Sequence, residues 1–280
     1  MSTLSAPQGR PEVEKLFALS EAKQRYLCGI NPMLIDVSLL EPCFGAAIVH
    51  TLANKQALLP LVDEFGVKDK IIATLNYQLP HYPQVEDDFC QYLLETKYDM
   101  TGCFALTGVG RMNGSQFTPH LSMEKLVAYR IPNTVHEISL LPKGDTKQVL
   151  ASLCACIQWL HANVRGDHGK PCRIYVNILD LIDTFFIDRS WACDVLEQLA
   201  KDGVDGVSFE DGRGSFFPFQ IAAVVVSMKA LLDANQKVLF HAHAGNGMEN
   251  ASALEALLHG ADGYWGRDGK RIVNYWSRIA

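Results

Sequence analysis

Eight short β-rich runs alternate with helical patterns along almost the whole chain, and this alternation restricts the fold more than any other feature. The runs are "MLIDVS" from Met33, "KIIATLN" from Lys70, "MTGCFAL" from Met100 and "TVHEISLL" from Thr134. They continue with "RIYVNIL" from Arg173, "GVSFED" from Gly206, "VLFHAHA" from Val238 and "GADGYWG" from Gly260. Helical patterns lie between them, among them Ala46 to Glu64, Asp87 to Thr96, Thr146 to Val164, Ser190 to Lys201, Phe219 to Leu232 and Glu249 to His259. Strands separated by helices of this length form parallel βαβ units. Eight such units closing on themselves make an α/β fold, the (β/α)8 or TIM barrel, which typically needs about 250 residues. The 280 residues fit that count with no linker. The expectation is a single barrel domain over 1–280, with 1–30 as an N-terminal extension or helix.

The chain stops at Ala280, soon after the eighth run, so the last outer helix is expected to be short or missing. A bare flank would expose apolar barrel surface, to be covered by the N-terminal segment or by a second copy in a homo-oligomer. The alternative is that the sequence is a truncated piece. The rival fold is an open doubly wound sheet. Its support is "GVGRMNG" at Gly108 to Gly114, but that spacing misses the dinucleotide fingerprint and "SQFTPH" follows in place of a helix. A glycine-rich turn is the better reading.

With 48% hydrophobic and 20% charged residues, the chain has ample material for a core. A net charge of −6 and the lack of a basic stripe argue against nucleic acid as a partner. The most apolar late stretch, Phe216 to Leu232, is interrupted by Pro218, Gln220, Ser227 and Lys229, so no membrane span is expected. The N-terminus lacks the apolar core of a signal peptide. The eight cysteines form no Cys-x-x-Cys pair. Cys154 and Cys156 fall in an apolar helical pattern as buried free thiols, which suggests a reducing, cytoplasmic setting.

The chemistry concentrates in "VLFHAHAGNG", Val238 to Gly247. Side chains alternate faces along a strand, so His241 and His243 share one face and can close on a single metal ion where the strand ends. In a barrel the functional groups sit at the C-terminal ends of the strands. There the sequence places Asp36, Ser38 and Glu41 on the first run, Asn76 on the second, and Asn177 and Asp180 on the fifth. The sixth contributes Glu210, Asp211 and Arg213, and the seventh the two histidines. Two imidazoles and a carboxylate suit a divalent ion with open positions for substrate oxygens.

These residues resemble the DRE-TIM metallolyases, a family that includes isopropylmalate and homocitrate synthases, hydroxymethylglutaryl-CoA lyase and the hydroxy-oxovalerate aldolases. "GVDGVSFEDGRGSFFPFQIAAVVVSMKALL" is similar to the family's strand-six segment, and "KVLFHAHAGNGMENASALEALLHGADGYWG" to its His-x-His segment. Weaker similarity runs back through "RIYVNILDLIDTF" to "MLIDVSLLEP". Against the family's Asp-Thr-Thr-Leu-Arg-Asp-Gly, Asp36 and Leu39 match, Leu40 takes the arginine position and Glu41 the metal-binding aspartate position. Ser252 and Gly212 also depart from the pattern, and Asn274 in "RIVNYW" corresponds to the later asparagine ligand.

The resemblance implies one divalent ion (Zn, Mn or Mg) held by Glu41, His241 and His243, with Asn274 completing the set. Asp36 competes with Glu41 for the ligand role and, with Asp211 and Arg213, makes up the catalytic groups. Arg213 would supply the positive charge that Leu40 cannot. The implied reaction is carbon–carbon bond cleavage or formation on a 2-oxo acid or carboxylate, through a metal-stabilised enolate. A lyase or aldolase suits the chain better than a synthase with a regulatory domain. The alternatives are another metal-assisted reaction (hydrolysis or decarboxylation) and a non-catalytic barrel used for binding or regulation.

Overall fold

The computed structural model describes residues 10–40, 51–76, 84–243 and 245–266. It opens with helix α1 (Arg10–Gly29), then β1 (Met33–Asp36), α2 (Leu52–Glu64), β2 (Asp69–Thr74), α3 (Val85–Glu95) and β3 (Cys103–Thr107). A small hairpin of β4 (Arg111–Asn113) and β5 (Gln116–Thr118) precedes α4 (Leu121–Ala128), β6 (Asn133–Ile138) and α5 (Thr146–Asn163). Next come β7 (Ile174–Ile178), α6 (Leu181–Ile187), α7 (Arg189–Asp202) and β8 (Gly206–Asp211). The described chain ends with α8 (Pro218–Leu231), β9 (Lys237–Ala242), α9 (Glu249–Leu258) and β10 (Gly263–Gly266).

All eight expected runs become strands of one closed parallel barrel, in the order β1-β10-β9-β8-β7-β6-β3-β2. Strand alternation divides the core in two. Ile35, Ile71, Phe104, Val135, Tyr175, Leu239 and Trp265 fill the barrel interior. The opposite faces, including Ile72, Ala105, Val176, Val207 and Phe240, pack against the helices in the larger cluster. Both faces are buried, which is why the strands read as near-continuous apolar runs. Burying a side chain such as Leu or Phe contributes about 1.5–3 kcal/mol, so these two layers are the main stabilising term.

The glycine-rich stretch after β3 is the β4–β5 hairpin, turned through Gly114 at φ +61°. α4 and α6 are too short to show a helical period in the sequence. Tertiary packing of Met123 and Leu126, and of Leu181, Ile182 and Phe185, holds them in place. α1 packs on α9, with Leu27 and Ile30 against the core, while Val13, Leu16, Phe17 and Leu19 stay exposed. The N-terminal segment thus covers part of the flank. The expected short last helix lies outside the described residues.

The described cysteines are free thiols. Cys156 is buried as expected, and burial pushes it up to about 12. Cys154, two residues away and so on a different side of the helix, is only partly buried. No described helix is long and apolar enough to cross a membrane.

Candidate metal centre

Two strands and one backbone contact build the site. Glu210 lies on the interior face of β8 with Ser208, and His241 on that of β9 with Leu239, by the alternation that puts Leu239 in the interior cluster. The β8–β9 register sets Glu210 directly beside His241. His243 follows just past the end of β9. One ligand atom from each of Glu210, His241 and His243 falls within 4.8 Å of the other two. The two Nε2 atoms are 3.1 Å apart, with the rings edge-on at 82°.

The tautomer of His241 follows from its other nitrogen. Nδ1 lies 2.7 Å from the backbone oxygen of Trp265, an atom that only accepts, so Nδ1 carries the proton and Nε2 keeps its lone pair. The Trp265 indole also stacks on the imidazole, centroids 4.2 Å apart. A carbonyl behind a histidine, aiming a lone pair into a cluster with a carboxylate and a second imidazole, is the arrangement a divalent ion needs. The donor set therefore fits a metal.

His243 is placed by two loops that touch through their backbones. Its N–H donates to the Asp211 carbonyl at 3.2 Å. A Cβ on Gly214 would lie 2.2 Å from the His243 oxygen, and one on Gly245 1.9 Å from the Arg213 oxygen, so neither position admits a side chain. Gly214 also sits at φ +58°, where glycine is favoured.

Two amides extend the cluster across the barrel mouth. Asn177 on β7 donates to Glu210 Oε2 at 3.1 Å and accepts from the Ser208 hydroxyl at 2.9 Å. Asn76, just after β2, donates to Glu137 Oε2 on β6 at 3.0 Å. Burial raises Glu137, the charge of Glu210 adds to that, and the Asn76 bond and His241 oppose it; the result is a carboxyl pushed up to about 7. Near neutral pH it is divided between its protonated and ionised forms.

The structure brings His241 and His243 together, with Glu210 as their carboxylate. Glu41 and Asn274 lie outside the described residues. Asp36 is buried and accepts from the Ser38 N–H at 2.9 Å and the Ser38 hydroxyl at 3.2 Å. It stands between Ile35 and Val37, both interior, and so belongs to the alternate face. Asp211 accepts from the N–H groups of Ser215 at 2.9 Å and Phe216 at 3.0 Å, fixing the loop after β8. Arg213 Nη2 donates to both carboxylate oxygens of Asp183, at 2.8 and 2.9 Å, on the rim, its side chain 66% exposed. Asp180 accepts from the N–H groups of Leu140 and Leu141.

Glu137 is the residue the sequence reading passed over. Its signal is a lone carboxylate two residues after interior Val135, in a run otherwise buried. The β6–β7 register then pairs it with Asn177.

No family model and no curated protein sequence matches the chain. Solved structures do. The HMG-CoA lyase of Bacillus subtilis is similar with a TM-score of 0.68 and 16% identity, over 89% of this chain and 86% of that one. An HMG-CoA lyase from Acinetobacter baumannii, in complex with coenzyme A and 3-methylmalate, gives a TM-score of 0.65 at 13% identity, over 89% and 84%. The carboxyl transferase domain of Rhizobium etli pyruvate carboxylase, with oxalate, gives 0.56 at 10% identity, over 91% of this chain and 43% of that one. At such identities the likeness is one of fold: the chain has the (β/α)8 barrel found in HMG-CoA lyases.

Proposed function

We propose that this protein is an enzyme that holds one divalent ion on Glu210, His241 and His243 and acts on a 2-oxo acid or carboxylate, making or breaking a carbon–carbon bond. The observation that carries this reading is the convergence of the two imidazole nitrogens and the Glu210 carboxylate in one cluster, with the His241 lone pair aimed by Trp265. Glu41 and Asn274 are the sequence candidates for further ligands. The ion would supply Lewis-acid polarisation of a substrate oxygen. The similar structures support a carboxylate substrate, since one holds 3-methylmalate and another oxalate.

The chain's own residues would handle the proton. Glu137 is poised near neutral pH, held by an amide, and close enough to the cluster to feel Glu210 and His241. That suits a general acid or base for a carbon acid or its leaving group. Asp211 would keep the His243 loop in register, Asp36 would set the turn after β1, and Arg213 with Asp183 would form the rim.

A second reading is favoured by Leu40. It is buried in the barrel interior at 1% exposure, where it offers no positive charge to a developing oxyanion. This favours another metal-assisted reaction, such as decarboxylation or hydrolysis, or a barrel that binds without turnover.

The test is metal content. Purified protein is expected to carry close to one divalent ion per chain, and the His241→Ala, His243→Ala double variant to lose it while keeping its circular dichroism. An unchanged metal content in the double variant overturns the reading. Proton exchange beside the carbonyl of an added 2-oxo acid, lost in Glu137→Gln, would separate carbon–carbon chemistry from the second reading.

A further inference from the structure

Beside the metal cluster lies a cavity of about 500 Å³ whose floor is Asn76 and Glu137. Its walls are the β4–β5 hairpin on one side and the first turns of α5 on the other, with Val109, Met112, Val149 and Leu153 among the apolar lining. The hairpin is held onto α5 at two points. The Gly110 N–H donates to Cys156 Sγ at 3.2 Å, and the Gln148 amide donates to the Met112 carbonyl at 3.4 Å. A Cβ on Gly110 would come within 2.6 Å of the Phe117 ring, so the base of the hairpin is tightly seated. The cavity is thus bounded by anchored backbone.

Arg111 is the cation in this lining, and it is exposed at the rim. No carboxylate among the described residues pairs with it. Asp145, also at the rim, spends its Oδ1 on the N–H groups of Lys147 and Gln148 at the start of α5. Arg111 contrasts with Arg173 and Arg213, which are both paired with aspartates. The cavity therefore offers a polar floor of Asn76 and Glu137, an apolar middle and an arginine at the rim.

From this arrangement we infer that the cavity takes an acid with a second carboxylate at the far end of an apolar stem, and that Arg111 receives that carboxylate. This rests on the reading above for the end that meets the cluster, and adds to it the class of substrate: a dicarboxylic 2-oxo acid in preference to a monocarboxylic one. A guanidinium suits the role because its planar fork matches a carboxylate at two points.

The experiment is calorimetric titration of the Mn2+-supplemented protein with two probes of equal length, 2-oxoadipate and 2-oxohexanoate. The wild type is expected to bind 2-oxoadipate at least about tenfold more tightly, the lower end of what a charge-assisted hydrogen bond contributes. Arg111→Gln is expected to erase that preference while leaving 2-oxohexanoate binding as it was, and Arg111→Lys to retain part of it. Equal binding of the two probes by the wild type, failure to bind either, or a preference that survives Arg111→Gln overturns the inference. The His241→Ala, His243→Ala variant separates the two claims. If it still prefers 2-oxoadipate, and adding Arg111→Gln removes the preference, the Arg111 site stands and the metal reading falls.

Discussion

Two groups of charged residues, one at each end of the barrel, are met in opposite ways. At the N-terminal end, Arg173 forks onto Asp69 at 2.9 Å twice, reaches Asp167 at 3.1 Å and lies over the Phe104 ring. Lys70 pairs with Asp63 and Tyr98, and Lys229 and Lys237 pair with Asp262. Burial alone would lift Asp262, but the Val238 N–H and Lys229 outweigh it and hold the carboxyl below its usual range. At the C-terminal end, Glu137 and Glu210 are met by amides and imidazoles. Burial there wins, and Glu137 rises to about 7. A carboxylate with a cation beside it is a structural part. One denied that cation has capacity left for a proton, a metal or a substrate, which is why strand C-termini carry function in this fold.

The largest effect expected from breaking the contrast is at the closed end. Arg173→Met leaves Asp69 and Asp167 without their cation. It should destabilise the fold by about 3 kcal/mol, the low end for breaking a buried pair because Arg173 keeps some contact with water. Urea unfolding measures this. Metal content should stay the same, and a loss of metal would mean that the two ends are not independent.

Next in size is the contact that seats His243. Gly245→Ala forces the two loops apart and should weaken metal binding about 10–100-fold, as disturbing a ligand's support does. Competition with a chromogenic chelator reads the change. Gly29→Ala, with nothing within 4 Å of its new Cβ, is the control and should leave affinity alone. Unchanged affinity in Gly245→Ala would show that the loop contact does not position the ligand.

A third effect is a slope, spread over a pH range rather than lost at once. Glu137 binds its proton more tightly folded than unfolded, so its contribution is fully present below about 4.5 and is lost as pH rises toward about 7. Buried His136, held down to about 4, gains stability over much of the same range, so the Glu137 contribution is read as a difference: metal-free wild type should lose stability relative to Glu137→Gln as pH rises from about 4.5 to about 7. Parallel stability profiles for the two proteins would mean that Glu137 is an ordinary solvated acid.

The legibility of these features in the sequence follows the range of the interactions. The alternation of apolar runs and helical patterns is local, and so is the parity that puts His241 and His243 on one face. Both were readable without coordinates. The hairpin at Arg111 to Thr118 was readable only as a turn, because its pairing depends on a seat against α5 that a linear pattern does not show. Glu210 was visible at a strand end among several acids. That it, and not Asp211, faces the histidines follows from parity along β8 combined with the β8–β9 register.

The sequence by itself determined the barrel, the mouth at which chemistry would gather and the pair of imidazoles, because strand period and βαβ connection are properties of neighbouring residues. The tertiary structure alone decided which carboxylate joins the pair, that Glu137 stands across β7 from it, that Trp265 aims the His241 lone pair and that Arg111 lines the rim of a cavity. Each of these depends on the stagger between strands and on loops meeting backbone to backbone. Those distances are set by how the closed sheet packs, and no residue encodes them through its immediate neighbours.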